Sequence, residues 1–421
     1  MKTVCGLDVH KSMIIMCILK ANGSKIIQEF STLTIDVESM RDLMKDHGVE
    51  EVGMESTGVY WIPIWRILQG HFELKLINPY FIKQLPGRKT DVKDSEWIAT
   101  VVQKGLVRGS YVPGKHIQEL RQFERRYVRL CEQSTRIEQE LERQLHRCNI
   151  QITNYVSQIG SRSVINVVKA IIAGETTAIE LEKHVHGRIK NKHKEKIKAS
   201  LTGVISGTDR FIFKQNIREY DLVLTQQEEC QKEMRDYCQT YFEKELQLLC
   251  TIPGIQVLSA MTIIAELGVD MRTFVTAAAL TGWAGLRPRN DESAGKIKSR
   301  KITKGNKYIR RILVQCAWAA SHLKNTWLKT KFDQLCIRKS NKKALIAISR
   351  KLLVIIWNVL SKHETYREFV PKIDPKQRLK KIDYYNKMLK ELQTIWISPK
   401  NYRGRQHLWW FDPAIKLTDI F

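Results

Sequence analysis

The sequence predicts an α/β N-terminal domain, a long helical middle that resembles a coiled coil, and a mainly α C-terminal domain. In the first part of the chain, short apolar runs are separated by turn residues, as in strands. From Ile117, apolar residues recur at spacings of three and four amid Glu, Arg and Gln, as in a long helix. After Cys250, apolar stretches of helical length flank a segment rich in Gly, Arg and Lys.

The N-terminal elements begin with three strands. Ala21–Ser24 is a tight-turn sequence between the second and third strands, and Gly48 ends the first helix. In order, we predict strands at 2–9, 13–20 and 25–31, a helix at 37–47, a strand at 51–55, a helix after Gly58, a strand at 73–77 and a helix from about Thr90. Three hairpin-linked strands followed by alternating helix and strand is the element order of an RNase H-like domain.

Two long helices are predicted in the middle, from 117 to about 150 and from about 213 to 249. The sequence leaves open whether they pair antiparallel within one chain or mediate dimerisation. Residues 155–210 between them are mixed and increasingly basic. Later come a turn and an apolar helix at 251–268, helices at 312–328 and 341–362, and a basic tail with Trp396, Trp409 and Trp410. We therefore divide the chain into domains at 1–112, 113–250, 251–365 and 366–421.

The charge balance predicts a polyanionic partner. The chain has 70 Lys and Arg against 44 Asp and Glu, a formal net charge of +26. Such a charge repels itself in the compact state, so nucleic acid or an anionic membrane surface is the expected partner. We find no apolar run of membrane-spanning length and no signal-peptide pattern, which favours nucleic acid. Nine cysteines without a C-x-x-C pair are typical of a reducing cytosol.

Four acids in the first domain indicate a metal site. Asp8 ends the first strand, Glu55 ends the fourth, and Asp91 and Asp94 open the helix at KTDVKD. In an RNase H-like sheet the first and fourth strands are neighbours, and a spacing of three places Asp91 and Asp94 on one helix face. Carboxylates packed together require cations, and hard oxygen ligands select Mg²⁺ or Mn²⁺. Two such ions clamp the attacking and leaving oxygens of a phosphodiester.

Each acid alone also has a purely structural explanation. Asp8 could start a turn, and Glu55 could belong to a surface loop before Gly58. Asp91 could cap its helix, with Asp94 at the positive end of the helix dipole. The four acids together, in this element order, favour the metal site.

A second set of candidate residues lies in the C-terminal part. TIPGI (251–255) resembles a helix–hairpin–helix turn, in which Gly254 would offer backbone N–H groups to a phosphate; an ordinary turn is the alternative. Residues 286–311 include ten basic side chains, which we predict to contact nucleic-acid phosphates. They are Arg287, Arg289, Lys296, Lys298, Arg300, Lys301, Lys304, Lys307, Arg310 and Arg311.

Ser293 lies inside this basic segment and is followed by Ala294 and Gly295, which let other groups approach closely. A serine hydroxyl is a poor nucleophile unless it is activated. No Ser-His-Asp pattern is adjacent, so activation would have to come from the carboxylate-bound metal of another domain or subunit.

Five motifs together resemble one family. They are GLDVHK (6–11), MESTG (54–58), KTDVKDSEWIA (89–99), IPGI (252–255) and GLRPRNDESAGKIKSRKITKGNKYIRRIL (285–313). The ordered set is similar to the DEDD transposases of insertion sequences, the IS110 family, with an N-terminal RuvC-like domain and a serine-containing C-terminal transposase domain. Some members are described as bridge-RNA-guided recombinases. The resemblance covers the first hundred or so residues and about 245–330.

The resemblance implies roles for individual residues. Asp8, Glu55, Asp91 and Asp94 correspond to the DEDD metal ligands, and Ser293 to a nucleophile that forms a transient phosphoserine link to DNA. It also implies a dimer or tetramer with composite active sites, donor and target DNA, a structured guide RNA, no membrane, and a prokaryotic cytoplasmic setting near the nucleoid. The family's serine is usually followed by two glycines, whereas Ala294 follows here, and the segments 155–210 and beyond about 365 are additional.

Two other functions fit the same residues. A RuvC-like junction or flap nuclease would use water, so it would depend on Glu55 and not on Ser293. A non-enzymatic architectural or RNA-chaperone protein would cleave no DNA at all. The complete acid set Asp8, Glu55, Asp91 and Asp94 favours an enzyme.

Overall fold

The computed structural model describes residues 2–56, 58–79, 91–107, 109–289, 291–293, 295–299, 301–368 and 375–395. The chain falls into two structural units, Met1–Gly114 and Lys115–Phe421. The first unit is mixed α/β and the second is mostly helical. This confirms the predicted class, an α/β N-terminal part followed by a mainly helical remainder.

The first unit contains a five-stranded sheet with the strand order β3-β2-β1-β4-β5. β1 pairs antiparallel with β2, and β2 with β3, whereas the β1–β4 and β4–β5 pairs are parallel. The predicted neighbourhood of the first and fourth strands is therefore confirmed. The elements are β1 Val4–Val9, β2 Met13–Leu19, β3 Lys25–Ser31, α1 Thr34–Asp46, β4 Glu51–Glu55, α2 Trp61–Leu68, β5 Glu73–Ile77 and α3 Asp91–Gln103.

Helices cover both faces of this sheet. On one face, Leu7 and Met54 belong to a core that includes Met40 of α1 and Ile64 of α2. On the other face, Val4 belongs to a core with residues of α3. The central strands are nearly continuous apolar runs because both of their faces are buried.

Two long helices dominate the second unit, α4 at Lys115–Arg147 and α8 at Gly207–Cys250. Gln144 Nε2 donates to Asp209 Oδ1 at 2.7 Å, Gln133 Nε2 donates to Glu219 Oε1 at 3.2 Å, and Arg126 Nη2 donates to Gln226 Oε1 at 3.1 Å. Residues later in α8 contact residues earlier in α4, so the two helices pair antiparallel within one chain. Of the two alternatives that the sequence left open, pairing within one chain is present, and a part of these helices in dimerisation stays a prediction.

The segment between the long helices is itself helical. A 3₁₀ turn at Ile152–Asn154 is followed by α5 Arg162–Ala173, α6 Ala178–Lys183 and α7 Gly187–Ser200. Capping boxes begin α6 at Thr177 and α8 at Ser206. Buried residues of α5 and α7 join the same hydrophobic core as α4 and α8.

The C-terminal part continues that core with short helices and a two-stranded hairpin. The predicted helix at 312–328 is wrong, because two helices separate at residues 323–326. Asn325 has a left-handed φ of 61°, and Thr326 caps the second helix by accepting from the Lys329 amide. The elements are α9 Val257–Leu267, a 3₁₀ turn at Met271–Thr273, α10 Ala277–Trp283, β6 Asp291–Ser293, β7 Lys296–Ser299, α11 Lys307–His322, α12 Trp327–Cys336, α13 Asn341–Lys362 and α14 Pro375–Ile395.

The helix α13 corrects one prediction made from composition. By length and hydropathy Asn341–Lys362 could cross a membrane, although no such run was expected. Half of its apolar window is buried against the rest of the unit, and Ile348, Leu352 and Ile356 have no exposed surface. Its apolar character is that of a core helix.

The tail contains the helix α14, which the sequence did not predict. Trp396, Trp409 and Trp410 lie outside the described residues. The division into four domains, with boundaries near 112, 250 and 365, stays a prediction.

Candidate active site

Asp8 and Glu55 lie on adjacent parallel strands at the same edge of the sheet. β1 and β4 pair in the register Gly6↔Gly53 and Leu7↔Met54. Asp8 and Glu55 each follow the last of these paired residues by one position, so the register directs the two acids toward each other on neighbouring strands, which lie about 4.8 Å apart. Side chains two residues apart share a face, so Asp8 lies on the face of Gly6, and Glu55 on the face of Gly53.

Two glycines let α3 approach that face. A Cβ atom on Gly6 would lie 2.2 Å from the Ser95 carbonyl oxygen and 2.4 Å from the Ala99 nitrogen. A Cβ atom on Gly53 would lie 2.6 Å from Val102 Cγ2 and 3.0 Å from Ile98 Cγ2. These contacts leave no room for a side chain, so both positions require glycine. Gly6 and Gly53 therefore hold the helix against the strands that carry the two acids.

The helix runs antiparallel to β1, so that its N-terminus lies toward the acids. Gln103 Nε2, in its last turn, donates to the Lys2 carbonyl at 3.0 Å, just before β1 begins. Its middle residues Ser95 and Ala99 lie over Gly6, farther along β1. One more turn toward the helix start therefore reaches the edge where β1 ends at Asp8 and Val9.

Helical spacing assigns each acid of α3 to a strand. Asp94 lies four residues before Ile98 and eight before Val102, on the row that packs over Gly53. Asp94 lies one helical turn before Ile98, in the direction of Glu55. Asp91 begins the row of Ser95 and Ala99, which packs over Gly6. The Asp91 side chain itself lies outside the described part of the chain.

The side chain of Asp8 is only 13% exposed and faces His10. His10 Nε2 lies 3.1 Å from Asp8 Oδ2, and its imidazole is about half exposed. The sequence-based prediction did not include His10. The signal available was its position two residues after Asp8, on the same side of the chain.

The donor chemistry of this edge fits a divalent cation. Asp8, Glu55 and Asp94 supply hard carboxylate oxygens, which Mg²⁺ and Mn²⁺ prefer, and their backbone positions lead to one corner of the unit. Among the side chains that the structure describes, no group of three His, Cys, Asp or Glu lies close enough to hold a metal ion. Register and helical spacing direct these three acids toward one edge of the sheet, and their convergence on a metal ion stays a prediction.

The basic segment of the second unit is a hairpin arm rather than an open loop. Gly285 and Gly305 pack back to back at its base, where a Cβ atom on Gly285 would lie 2.8 Å from the Gly305 nitrogen. The two sides are joined by hydrogen bonds from the Thr303 amide to the Arg287 carbonyl at 3.1 Å and from the Arg289 amide to the Lys301 carbonyl at 3.0 Å. We call residues 285–305 the serine arm.

Ser293 lies at the tip of the serine arm and is exposed. It pairs with Lys296 at the end of the β6–β7 ladder, and Gly295 between them has a left-handed φ of 73°. The hydroxyl is thus presented on a tight turn and not inside a pocket. Ala294 lies outside the described residues.

The predicted phosphate-binding residues fall into two groups. Lysines and arginines of the arm and of the following turn are exposed: Arg287, Arg289, Lys296, Lys298, Lys301, Lys304 and Lys307. Arg310 and Arg311 contact the protein instead: Arg310 Nη1 donates to the Thr303 carbonyl at 3.4 Å, and Arg311 Nη1 lies 3.8 Å from Glu132 Oε1. Burial lowers the pKa of the Arg310 guanidinium. Arg300 lies outside the described residues.

A polar cluster around the buried Glu266 carboxylate anchors the base of the serine arm. Asn306 caps α11 by accepting from the Tyr308 and Ile309 amides, and its Nδ2 donates to Glu266. Arg125 of α4 donates to the same carboxylate at 2.6 Å and lies over the Tyr308 ring, 3.1 Å from its centroid. This cluster fixes the C-terminal side of the arm to the long helix.

Glu124 lies beside this cluster and is fully buried. Neither of its carboxylate oxygens accepts a hydrogen bond from a described donor, although Arg125 Nε lies 3.3 Å from Oε2. Burial raises the pKa of the Glu124 carboxyl to about 7, and the negative charge of Glu266 also raises it. Near neutral pH, the Glu124 carboxyl is therefore protonated in a large share of the molecules.

Gly254 has a structural role that explains its residue type. Its φ is 87°, and a Cβ atom would lie 2.5 Å from the Cys316 carbonyl oxygen of α11. The turn at residues 252–255 thus packs directly on α11. A phosphate contact at Gly254 stays a prediction.

Comparison with known proteins yields two family matches. Residues 5–150 match the family model of the IS110-type DEDD transposases, which is described as a transposase. Residues 246–333 match the family described as the transposase IS116/IS110/IS902 family. The first match extends beyond the α/β unit through α4, and the second contains the whole serine arm.

Curated relatives are similar over shorter segments. The transposase for insertion sequence element IS1111A of Coxiella burnetii is 33% identical over 132 residues, which is 30% of this chain and 35% of the relative. A putative transposase of Sinorhizobium fredii is 30% identical over 129 residues, 28% of this chain and 32% of the relative. The transposase for IS1328 of Yersinia enterocolitica is 33% identical over 101 residues, 24% of this chain and 29% of the relative. The aligned segments span about a third of the length of these relatives.

Proposed function

Because this chain belongs to the IS110 family of insertion-sequence transposases, we propose that it cuts and rejoins DNA by serine attack on a phosphodiester. The observation that carries the proposal is the parallel register of β1 and β4, which end at the same sheet edge with Asp8 and Glu55, together with the packing of α3 on both strands, which supports an approach of Asp94 to that edge. The strand order, with the first and fourth strands adjacent, supports a RuvC-like fold for the first unit. The exposed serine at the tip of a cationic arm supplies the second half of the chemistry.

In the proposed reaction, the Ser293 oxygen bonds to a DNA phosphorus atom and one phosphorus–oxygen bond of the strand breaks. The cut strand leaves with a free hydroxyl group, while the other end stays on the enzyme as a phosphoserine. A hydroxyl of a second strand then bonds to the phosphorus and releases Ser293. Divalent cations, when bound, neutralise the phosphate and lower the pKa of the attacking hydroxyl.

Other residues of this chain would bind the metal ions, bind the DNA backbone and orient a carboxylate. Asp8, Glu55 and Asp94, together with Asp91, would hold Mg²⁺ or Mn²⁺ through their carboxylate oxygens. Exposed lysines of the serine arm neutralise DNA phosphates and hold the backbone beside Ser293. His10 orients the Asp8 carboxylate through their 3.1 Å contact.

The proposal extends to partners. Donor and target DNA are the substrates, the site is composite between subunits of a dimer or tetramer, and an element-encoded structured RNA guides the choice of target. We place the activity in the prokaryotic cytoplasm, where the element's DNA lies. The net charge of +26 supports polyanionic partners of either kind, DNA or RNA.

The decisive experiment looks for the covalent intermediate. The purified protein is incubated with Mg²⁺, the element-end DNA and the non-coding transcript that flanks the gene, and is then run on a denaturing gel with labelled DNA. We expect a protein–DNA adduct that Ser293→Ala abolishes. Ser299→Ala is the matched control, since Ser299 lies in the same hairpin and should leave the adduct unchanged.

A second pair of variants tests the carboxylate edge. Glu55→Gln should abolish both cleavage and the adduct, whereas Glu50→Gln, an exposed acid just before β4, should change neither. Cleavage lost in Glu55→Gln but retained in Ser293→Ala would establish a water-using nuclease and refute the serine mechanism. Absence of cleavage in the native protein, with all components present, would favour a binding protein.

The composite site is tested by mixing variants. If one subunit supplies the acids and another the serine, a mixture of Glu55→Gln and Ser293→Ala chains should regain part of the adduct. A mixture as inactive as its components would place both halves of the site in one chain.

A further inference from the structure

A groove of about 700 Å³ lies in the second unit, outside the serine arm. It is bordered by the start of α12, the second half of α13 and the residues after α13. Aromatic and basic side chains share its walls: Trp327, Lys351, Asn358, Lys362, Tyr366 and Arg367. We call it the aromatic–basic groove.

Hydrogen bonds hold its two aromatic walls in place. The Trp327 amide donates to one carboxylate oxygen of Glu368, and the Tyr366 hydroxyl donates to the other at 3.1 Å. The Tyr366 amide donates to Thr251 Oγ1 at 2.9 Å. Both rings belong to the lining and are only partly exposed. They form a preorganised recess rather than a flat surface.

Positive charges gather at the same place. Lys351 Nζ lies 5.1 Å from the centroid of the Trp327 ring, within reach of a cation–π contact. Burial lowers the pKa of the Lys351 amino group, and the charges of Lys331 and Arg350 lower it further. An anion in the groove would relieve this repulsion.

Lys362 and Arg367 extend the positive charge to the rim of the groove, where both are exposed. Among the described residues of the lining, Glu364 is the one acid, and it lies 3.7 Å from Arg367 Nη2. The lining therefore keeps an excess of positive charge in the same groove that Trp327 and Tyr366 line.

This combination matches the chemistry of an unpaired nucleic-acid strand. A double helix keeps its bases stacked inside and presents phosphates, which exposed lysines bind without a recessed ring. A single strand exposes base faces, which stack on aromatic side chains while cations follow the backbone. A recess of several hundred Å³ is large enough for a small ligand such as a nucleotide.

We propose that the aromatic–basic groove binds an unpaired segment of DNA or RNA, with a base against Trp327 or Tyr366 and phosphates on the neighbouring cations. This site goes beyond the proposed cleavage chemistry, because it would bind an unpaired nucleic-acid strand and would not cut it. Binding can be measured without divalent cations, so that its failure and the failure of the serine mechanism are distinguishable.

The test uses the full chain in EDTA and follows the fluorescence anisotropy of three labelled probes. They are a ten-nucleotide oligo(dT), a ten-nucleotide oligo(U) and a ten-base-pair duplex. Trp327→Ala should weaken single-strand binding by about tenfold, and Trp327→Phe by less, because a ring remains for stacking. Lys351→Met should reduce the slope of log K against log salt by about 0.7 for each phosphate that the variant no longer neutralises. The duplex affinity should change less than twofold in each variant.

Controls separate the groove from general charge. Lys339→Ala removes one exposed positive charge outside the lining and should leave the discrimination between strand and duplex unchanged. Arg367→Ala alters a side chain that is 82% exposed, so its effect cannot come from unfolding. The ratio of the oligo(dT) and oligo(U) affinities identifies DNA or RNA as the preferred strand.

Three outcomes would overturn the proposal. The first is an equal loss of single-strand and duplex binding in Trp327→Ala. The second is an effect of Lys339→Ala as large as that of Arg367→Ala on oligo(dT). The third is competition by oligoglutamate of equal charge as effective as that by unlabelled oligo(dT), which would make the groove a general anion site.

Discussion

Replacing Gly6 by alanine would test how the acids are brought together. The added Cβ atom would lie 2.2 Å from the Ser95 carbonyl oxygen and 2.4 Å from the Ala99 nitrogen, both backbone atoms of α3. Such atoms need at least 3.0 Å, so the helix must move away from β1 by about 1 Å. Overpacking of this kind costs about 1–3 kcal/mol, and we expect the upper end because backbone cannot rotate aside.

The same displacement should impair catalysis more than stability. A misplacement of about 1 Å can lower a rate about 100-fold, since the reacting groups lose their alignment. Because α3 carries Asp94 toward Glu55, Gly6→Ala should slow adduct formation by that order at temperatures where the protein is still folded. The expected fall in melting temperature is roughly 10 °C for a unit of this size.

Circular dichroism melting and the rate of adduct formation measure the two effects on one preparation. Gly114→Ala is the control, since a Cβ atom there meets nothing within 4 Å. It should change neither the melting temperature nor the rate. A Gly6→Ala protein that melted and reacted like the native one would refute the packing of α3 on β1, and with it the placement of Asp94.

Three further changes address the second unit. The pKa of the Glu124 carboxyl is raised to about 7 from an ordinary value of 4.5. The protonated carboxyl therefore contributes up to roughly 3 kcal/mol to the free energy of unfolding. This contribution is fully present below about pH 4.5 and is lost as the pH rises through 7. Glu124→Gln should therefore match the native protein at pH 5 and exceed its denaturation midpoint at pH 8; an unchanged pH dependence would assign the effect elsewhere. Arg125→Met should destabilise the unit by about 3–5 kcal/mol in urea unfolding, because it leaves the buried Glu266 carboxylate without its arginine, whereas Arg272→Met, at a surface pair, should change stability by less than about 1 kcal/mol. Gly254→Ala should lower the melting temperature in the absence of nucleic acid, since it strains a left-handed backbone against α11; a loss of DNA affinity at unchanged stability would instead favour a phosphate contact.

Local patterns predicted most of the first unit. The strands at 13–20 and 25–31 agree with β2 and β3 because Asn22 and Gly23 form the turn between them, with Gly23 at a φ of 88° and Asn22 Oδ1 accepting from the Ser24 amide. The neighbourhood of Asp8 and Glu55 followed from element order. The roles of Gly6 and Gly53 did not, because a glycine in a strand shows its purpose only when the helix above it is known.

Long-range contacts decided what the sequence left open. The antiparallel pairing of α4 and α8 depends on contacts such as Gln144 with Asp209, which are 65 residues apart. The cluster of Arg125, Glu266 and Asn306 joins three distant segments, and each residue alone resembles an ordinary polar position. Periodicity carries information about a residue's own helix face and none about its partner.

The hairpin of the serine arm was not predicted, because the composition of the segment does not indicate its strand pairing. Residues 285–305 are rich in Lys, Arg and Gly, which are weak strand formers, and alternation is interrupted by the turn at Gly295. Cross-strand hydrogen bonds at Arg287 and Arg289, together with the Gly285–Gly305 contact, create the hairpin instead. The positive charge of the segment predicts phosphate binding, which stays a prediction, whereas backbone pairing determines its shape.

The two candidate halves of the site share one design. Each places its candidate residues at the end of an element whose backbone is packed closely at glycines: Gly6 and Gly53 on the strands that carry Asp8 and Glu55, and Gly285 with Gly305 at the base of the serine arm. Because such contacts fix the backbone before any ligand binds, little within either unit would have to be ordered when DNA arrives.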